Sequence, residues 1–208
     1  MKKIIALIAC LIAFTYATET YAQIFGVKAG LNMSTMLAKD DDDTYSDDLK
    51  SLLGFHIGAT AELPFGDMFA FEPGLLISTK GYKVDSDSYE GTLSLMYVEV
   101  PLNAKAYLEV GGIKLYGTAG PYLGFGVTGK FKSDDDDESV EWGSDEDESD
   151  FKRLDFGLNI GAGAQFGPIE AGLTYGLGLA NISPSSGNGY KENNRVFGIS
   201  VAYKLGMD

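Results

Sequence analysis

Few residues in this sequence have the type and spacing to do chemistry. His56 is the single histidine. An imidazole acts as a general base when a nucleophilic hydroxyl lies within hydrogen-bond reach and an acid orients the ring. On a strand, residues two apart share a face, and two residues beyond His56 the chain has Gly58, not a serine. His56 is therefore read as a hydrogen-bonded structural residue. Asp40–Asp43, with Asp47 and Asp48, could suggest a calcium loop. Such loops alternate their ligands, turn on a glycine at the sixth position and close with a Glu; here the aspartates are consecutive and the glycine is missing. Gly157-Leu158-Asn159-Ile160-Gly161-Ala162-Gly163 could cradle a phosphate only if a helix followed, and no helix pattern does. The expectation is no catalytic residue, no cofactor, no defined metal site, and a protein that is not an enzyme. The acidic stretches would hold divalent cations loosely, as solvated charge.

The charge itself is the larger signal. Residues 133–150 hold eleven carboxylates in eighteen positions without one Lys or Arg, between the glycine-rich apolar stretches Gly120–Phe131 and Leu154–Phe166. The 208-residue chain carries a net charge of −14, a sign that disfavours nucleic acid as a partner. Residues 1–22 read as a cleaved signal peptide: Lys2 and Lys3, the apolar run Ile4–Phe14, and the small-residue exit Thr20-Tyr21-Ala22. Cys10 follows Leu7-Ile8-Ala9, a sequence similar to a lipoprotein cleavage box, but the apolar run continues past it. Residues 23–208 then form one domain. No later segment reaches the ~20 continuous apolar residues of a membrane-spanning helix.

Instead, period-two alternation runs through the mature chain. Phe25, Val27, Ala29, Leu31 and Met33 alternate with glycines and polar residues, as do Phe55–Leu63, Phe69–Ile77, Val98–Leu108 and Leu115–Phe131. Leu154–Phe166, Ile169–Leu179 and Phe197–Leu205 complete eight strands. Short turns at 64–67, 110–112 and 167–168 alternate with long polar links at 35–51, 85–91, 133–150 and 184–194. In a meander, alternate links lie at opposite ends, so all the long acidic links share one end. The fold class expected is all-β: an eight-stranded antiparallel up-and-down transmembrane β-barrel with short inner turns and long external loops. A soluble ligand carrier of the lipocalin type would alternate in the same way with its apolar face inward. Glycine decides between them. Fifteen glycines fall on the mixed face, where they offer nothing to water but leave room for large side chains inside a narrow barrel.

This orientation places Glu62, Glu72, Glu99, Glu109, Asp155 and Glu170 inside with Lys28, Lys80, Lys105, Lys114, Arg153 and Lys204. An enclosed lumen needs such balance, since an unpaired buried charge is costly. Glu99, Arg153 and Lys28 are the expected centre of the network. Of the remaining acids of the mature chain, 21 fall in the external loops and Asp67 and Asp208 lie at the other end, which places the eleven carboxylates in water. Lys83, Lys130, Lys132, Lys152 and Arg195 cluster where strands leave the bilayer; they either meet lipid phosphates or are ordinary flanking charge. Trp142, the single tryptophan, is either an anchor for a partner or folds back on the barrel. Phe65, Phe69, Phe71, Phe166 and Tyr203 at one end, with Tyr82, Phe131 and Phe151 at the other, suit aromatic girdles. The fourth and fifth strands, 92–109 and 113–132, exceed a bilayer crossing of ~9–11 residues, and their surplus would offer a strand edge to partners.

Three segments resemble a known family: Phe71-Glu72-Pro73-Gly74-Leu75-Leu76 continuing through Ser78-Thr79-Lys80-Gly81-Tyr82, then Tyr97-Val98-Glu99-Val100-Pro101-Leu102, and Gly120-Pro121-Tyr122-Leu123-Gly124. Over residues 23–205 the chain is similar to the PorT-like outer-membrane β-barrel proteins of Bacteroidetes. The resemblance implies an eight-stranded barrel in the outer membrane of a Gram-negative cell, of a group often titled porins, whose namesake takes part in protein secretion. The expected function is a plugged barrel acting as a structural or cell-surface interaction protein. The alternatives are a narrow porin or a secretion component and, more weakly, a lipid-modifying enzyme. The expected partners are outer-membrane lipid or lipopolysaccharide and an extracellular or envelope protein.

Overall fold

The computed structural model describes residues 23–40, 43–44, 49–86, 89–133, 137–185 and 187–206. The signal-peptide reading of 1–22 lies outside these residues, as do Asp41, Asp42, Asp47, Asp48 and 134–136 of the acidic links. The strands are β1 (Ile24–Lys39), β2 (Leu49–Phe65), β3 (Phe69–Ser86), β4 (Tyr89–Val110), β5 (Ile113–Ser133), β6 (Asp137–Ser139), β7 (Leu154–Phe166), β8 (Ile169–Gly178) and β9 (Lys191–Lys204). All but β6 form a ring. Each pairs antiparallel with its neighbours, β5 passes to β7, and β9 closes on β1 from Gly26↔Lys204 to Lys39↔Lys191. A closed ring satisfies every ladder hydrogen bond internally, which hydrocarbon requires of any chain that crosses it.

Local chemistry sets the short turns. Val110 pairs with Ile113 across Gly111 and Gly112, both at positive φ (59° and 82°), the two-residue turn whose twist matches paired strands. Phe166 pairs with Ile169 across Gly167 (φ 56°) and Pro168, where glycine supplies the positive φ and proline fixes the next residue.

Burial is inverted relative to a water-soluble protein. Phe25, Leu31, Phe55, Leu75, Leu123, Phe156, Ile160 and Val201 are exposed on the outer wall, while Glu62, Glu72, Lys80, Lys105, Asp155 and Glu170 are buried within. Contiguous apolar surface on this scale marks contact with lipid. The inward glycines do make room: a Cβ at Gly163 or Gly172 would stand 2.4 or 2.2 Å from the Tyr116 hydroxyl.

The strands run further than their alternation shows. β1 extends to Lys39 and β9 begins at Lys191, so stretches 36–39 and 191–194, read as loop, are paired to each other. Water does not end a strand whose neighbour continues. Between Met96 and Tyr97 the β4–β5 register shifts, inserting Val127 as a bulge. The outer end of β5 does not offer the free edge expected of it along Lys130–Lys132, because β6, inside the acidic link, pairs there.

Candidate functional site

Two ionic layers cross the lumen. The inner one, nearer the short turns, is built from β1–β4, β8 and β9. The Lys105 ammonium lies 2.7 Å from Glu72, 2.5 Å from Glu170 and 3.6 Å from Glu62. Lys28 pairs with Glu72 at 2.9 Å, and Lys204 with Glu170 at 3.0 Å and with Glu62. Three bases thus meet three acids. The three carboxylates have oxygens within 4.8 Å of one another, but the Lys105 ammonium holds their centre and takes the place a metal ion would need. Its remaining faces meet the Tyr116 and Tyr107 rings, 4.2 and 5.5 Å away.

The outer layer repeats this arrangement. Lys80 pairs with Glu99 at 2.6 Å and Asp155 at 3.0 Å, and lies 4.2 and 5.2 Å from the rings of Tyr122 and Tyr97. Asp155 is fully buried and also accepts from Asn194 at 2.9 Å and from the Tyr122 hydroxyl. Between the layers lies a cavity of about 60 Å³ lined by Asn32, His56, Ser78, Asn103, Asn159 and Thr174 among others, room for roughly four waters. His56 sits in its wall. The Asn32 amide nitrogen donates to Phe55 O, Ser78 Oγ and Thr79 O, at 3.0–3.2 Å. That fixes its oxygen toward His56 Nδ1, 2.8 Å away, so Nδ1 carries the proton.

Above the outer layer the lumen ends in an apolar cap. Met36, Leu93, Leu95, Tyr97, Phe151 and Ile182 are buried against one another, and Trp142 packs on them. The acidic link supplies Trp142 and its mount. Glu141 O accepts from Asp150 N at 2.8 Å, and Gly143 N donates to Phe151 O at 3.0 Å, so 141–151 closes as a tight loop. The indole meets the Tyr97 ring edge-on at 5.8 Å and lies over Gly126, where a Cβ would come within 2.4 Å. Of the two readings left open for Trp142, it folds back on the barrel.

Several expectations change. Arg153 is not in the lumen and joins no network with Glu99 and Lys28; it is exposed, donates to Gly126 O at 3.0 Å and lies 5.8 Å from the rings of Phe125 and Trp142. The last β5–β7 pair is Phe125↔Leu154, so the alternation that would turn Arg153 inward has no ladder behind it. Glu109 and Lys114 are register partners beside the Gly111-Gly112 turn and stand exposed at the rim. Glu99 is buried and Lys28 half-buried, and they belong to different layers. Phe151 lies in the cap, and Tyr82 and Phe131 pack against it rather than forming a girdle. The cap went unread because Met36 fell in a stretch read as loop, while Leu93 and Leu95, inside the fourth strand, lay on a face expected to be polar. The signal was present, since Leu93 and Leu95 keep step with Tyr97 and Glu99, and Met36 with Asn32 and Ser34. The three segments that carry the family resemblance supply Glu72, Lys80, Tyr97, Glu99 and Tyr122 to the ionic layers.

A ring of strands apolar toward the outside and ion-paired within is a transmembrane β-barrel, and this one carries ionic layers at two levels. The chain belongs to the outer membrane protein beta-barrel domain family, whose sequence profile matches residues 21–183. It is a protein of the Gram-negative outer membrane. Among solved structures it is similar to Neisserial surface protein A (14% identity, TM-score 0.47, covering 89% of this chain and 100% of that one). It is also similar to OprG from Pseudomonas aeruginosa (15%, 0.47, 88% and 96%). A third is Ail, the attachment invasion locus protein of Yersinia pestis, solved with the heparin analogue sucrose octasulfate (19%, 0.41, 89% and 100%). A search of curated proteins finds no match.

Proposed function

We propose that this protein is a non-catalytic, non-conducting barrel of the outer membrane, of the PorT-like group, which serves as a structural or cell-surface interaction protein. The observation that carries the reading is the double closure of the lumen: a balanced ionic layer at one level, and a second ionic layer roofed by the apolar cap at another. Side chains fill an eight-stranded barrel of this size, and only about 60 Å³ is left between the layers. His56 opens only into that pocket, bound to Asn32, where a lipid substrate in the bilayer does not reach it. Outside, Asp145, Glu146, Asp147 and Glu148 stand exposed. They give a surface suited to a basic extracellular or envelope partner and to loosely held divalent cations, while outer-membrane lipid surrounds the wall.

Planar-bilayer recording tests the reading. The wild-type mature chain is expected to give no steady channel. Steady conductance on the nanosiemens scale would favour the narrow-porin alternative, and cross-linking on intact cells that captures only secretion components would favour the secretion role.

A further inference from the structure

We infer that the barrel wall carries a specific site for an anionic lipid whose headgroup is a terminal phosphate monoester, formed by Lys152 and Arg153 above an apolar slot. The inference rests on the proposed residence in the outer membrane and names the lipid contact. β5 and β7 part company above Phe125↔Leu154, where β5 continues outward with β4 and β6 while β7 ends. The divergence leaves a groove of about 470 Å³ whose wall includes Phe125, Leu154, Phe156 and Leu179, with Lys152 and Arg153 at its margin. That volume lies in the range of small-molecule sites, roughly 300–1,000 Å³. The four apolar side chains are each about half exposed and belong to the top of the lipid-facing belt.

The two cations are placed where the belt ends. Arg153 uses Nη1 on Gly126 O, and its guanidinium is steadied by the Phe125 and Trp142 rings. Its other donors have no acceptor among the described residues. Lys152 is held by its backbone, whose N–H donates to Ile182 O at 2.7 Å, and its ammonium forms no ion pair among the described residues. By contrast, Lys132 is paired with Asp137 at 3.4 Å, and Arg195 spends Nη1 on Gly178 O and Asn194 O. A planar, preorganised guanidinium beside a mobile ammonium matches a phosphate, and an apolar slot directly below matches the first carbons of an acyl chain. Charge above and grease below is the order in which a lipid presents itself at this depth.

Native mass spectrometry of the mature chain in dodecyl maltoside micelles containing dilauroyl phosphatidic acid tests the site. One phosphatidic acid per barrel is expected to survive activation that strips dilauroyl phosphatidylcholine, while glycerol phosphate is not retained. Lys152→Gln with Arg153→Gln should cut retention about ten-fold, the loss of a charge-assisted contact, and Lys83→Gln with Lys130→Gln should not. Leu179→Trp, which fills the slot without touching a charge, should cut it as well; Lys152→Arg with Arg153→Lys should keep it. Heat-modifiable gel mobility reports that each variant folds, and should the Gln pair fail to fold, Leu179→Trp and the charge-conserving pair carry the test. Equal retention in the Gln pair, in Leu179→Trp, or of phosphatidylcholine would overturn the site. Bilayer conductance is a separate readout, so the site can fail while the closed-barrel reading stands.

Discussion

Two regions of one lumen are filled by opposite means. Inside the bilayer, the inner layer fills the barrel with three lysines against three glutamates. Above it, on the same inward faces of β1 and β4, the seal is Met36, Leu93 and Leu95. The outer wall inverts in the opposite sense. Met33, Val98 and Val127 are exposed at the top of the apolar belt, and beyond them come exposed Lys83, Lys130 and Lys132. The polarity of each strand face changes at one level, and that level is where hydrocarbon gives way to water. Below it an apolar interior would make both faces of every strand greasy, and a one-residue slip in register would cost nothing. Buried ion pairs are weak sources of stability, but they tell the chain which face is inside. Above the boundary, water outside does that work, and burial of apolar area stabilises as it does in any soluble domain.

The comparison breaks most easily at the inner layer. Lys105→Met leaves three buried carboxylates facing two ammonium groups, and removing one partner of a buried pair costs about 3–5 kcal/mol. Urea unfolding of the barrel refolded in lipid vesicles should show that loss, and adding Glu170→Gln should restore part of it, because the two sites are coupled. A Lys105→Met barrel as stable as wild type would show that the layer carries no weight. Leu95→Ala comes next, at about 2 kcal/mol, the low end for a buried leucine because the loops above can settle into the space. The two positions lie roughly 30 Å apart along β4, so their effects should add to within about 0.5 kcal/mol. Trp142→Ala should cost less again, about 1 kcal/mol, since the indole is half-buried and holds mainly an edge-on contact with Tyr97. It should also leave the bilayer recording silent, because the inner layer remains shut.

How much of this the sequence carries follows from the same boundary. Within the bilayer the period-two pattern is enforced by solvent on one side and enclosure on the other. The eight strands, the side that faces lipid, and nine of the twelve lumen charges are legible: Lys28, Glu62, Glu72, Lys80, Glu99, Lys105, Asp155, Glu170 and Lys204. Where the pattern loses its enforcer, reading fails. Arg153 is one residue past the last β5–β7 pair, so parity no longer says where it points. Glu109 and Lys114 keep their parity but reach the rim, where enclosure ends. β6 is three residues of Asp-Glu-Ser with no propensity for a strand; it pairs because the β5 edge is there to be covered. The cap is the instructive miss. Leu93, Leu95 and Met36 keep the inward phase of their strands, and only the assumption that an inward face stays polar hid them.

The finest test lies at the margin of the cap, above the boundary, where Glu192 pairs with Ala38 across β9 and β1. Its Oε1 accepts from the Tyr190 hydroxyl at 2.7 Å, and its backbone is tied to Asn181 and Ile182. Burial raises its carboxyl above the ordinary glutamate value, and the tyrosine hydrogen bond opposes the shift only in part. The folded chain therefore keeps this proton at a pH where the unfolded chain has lost it. The stability it contributes is whole below the ordinary glutamate range and is lost as pH rises through the raised value. Urea midpoints followed by Trp142 emission should fall between mildly acidic and neutral pH more steeply in wild type than in Glu192→Gln, by less than any substitution above. Equal slopes in the two proteins would mean that the cap's margin is wet, and that the apolar seal stops at Ile182 instead of reaching β9.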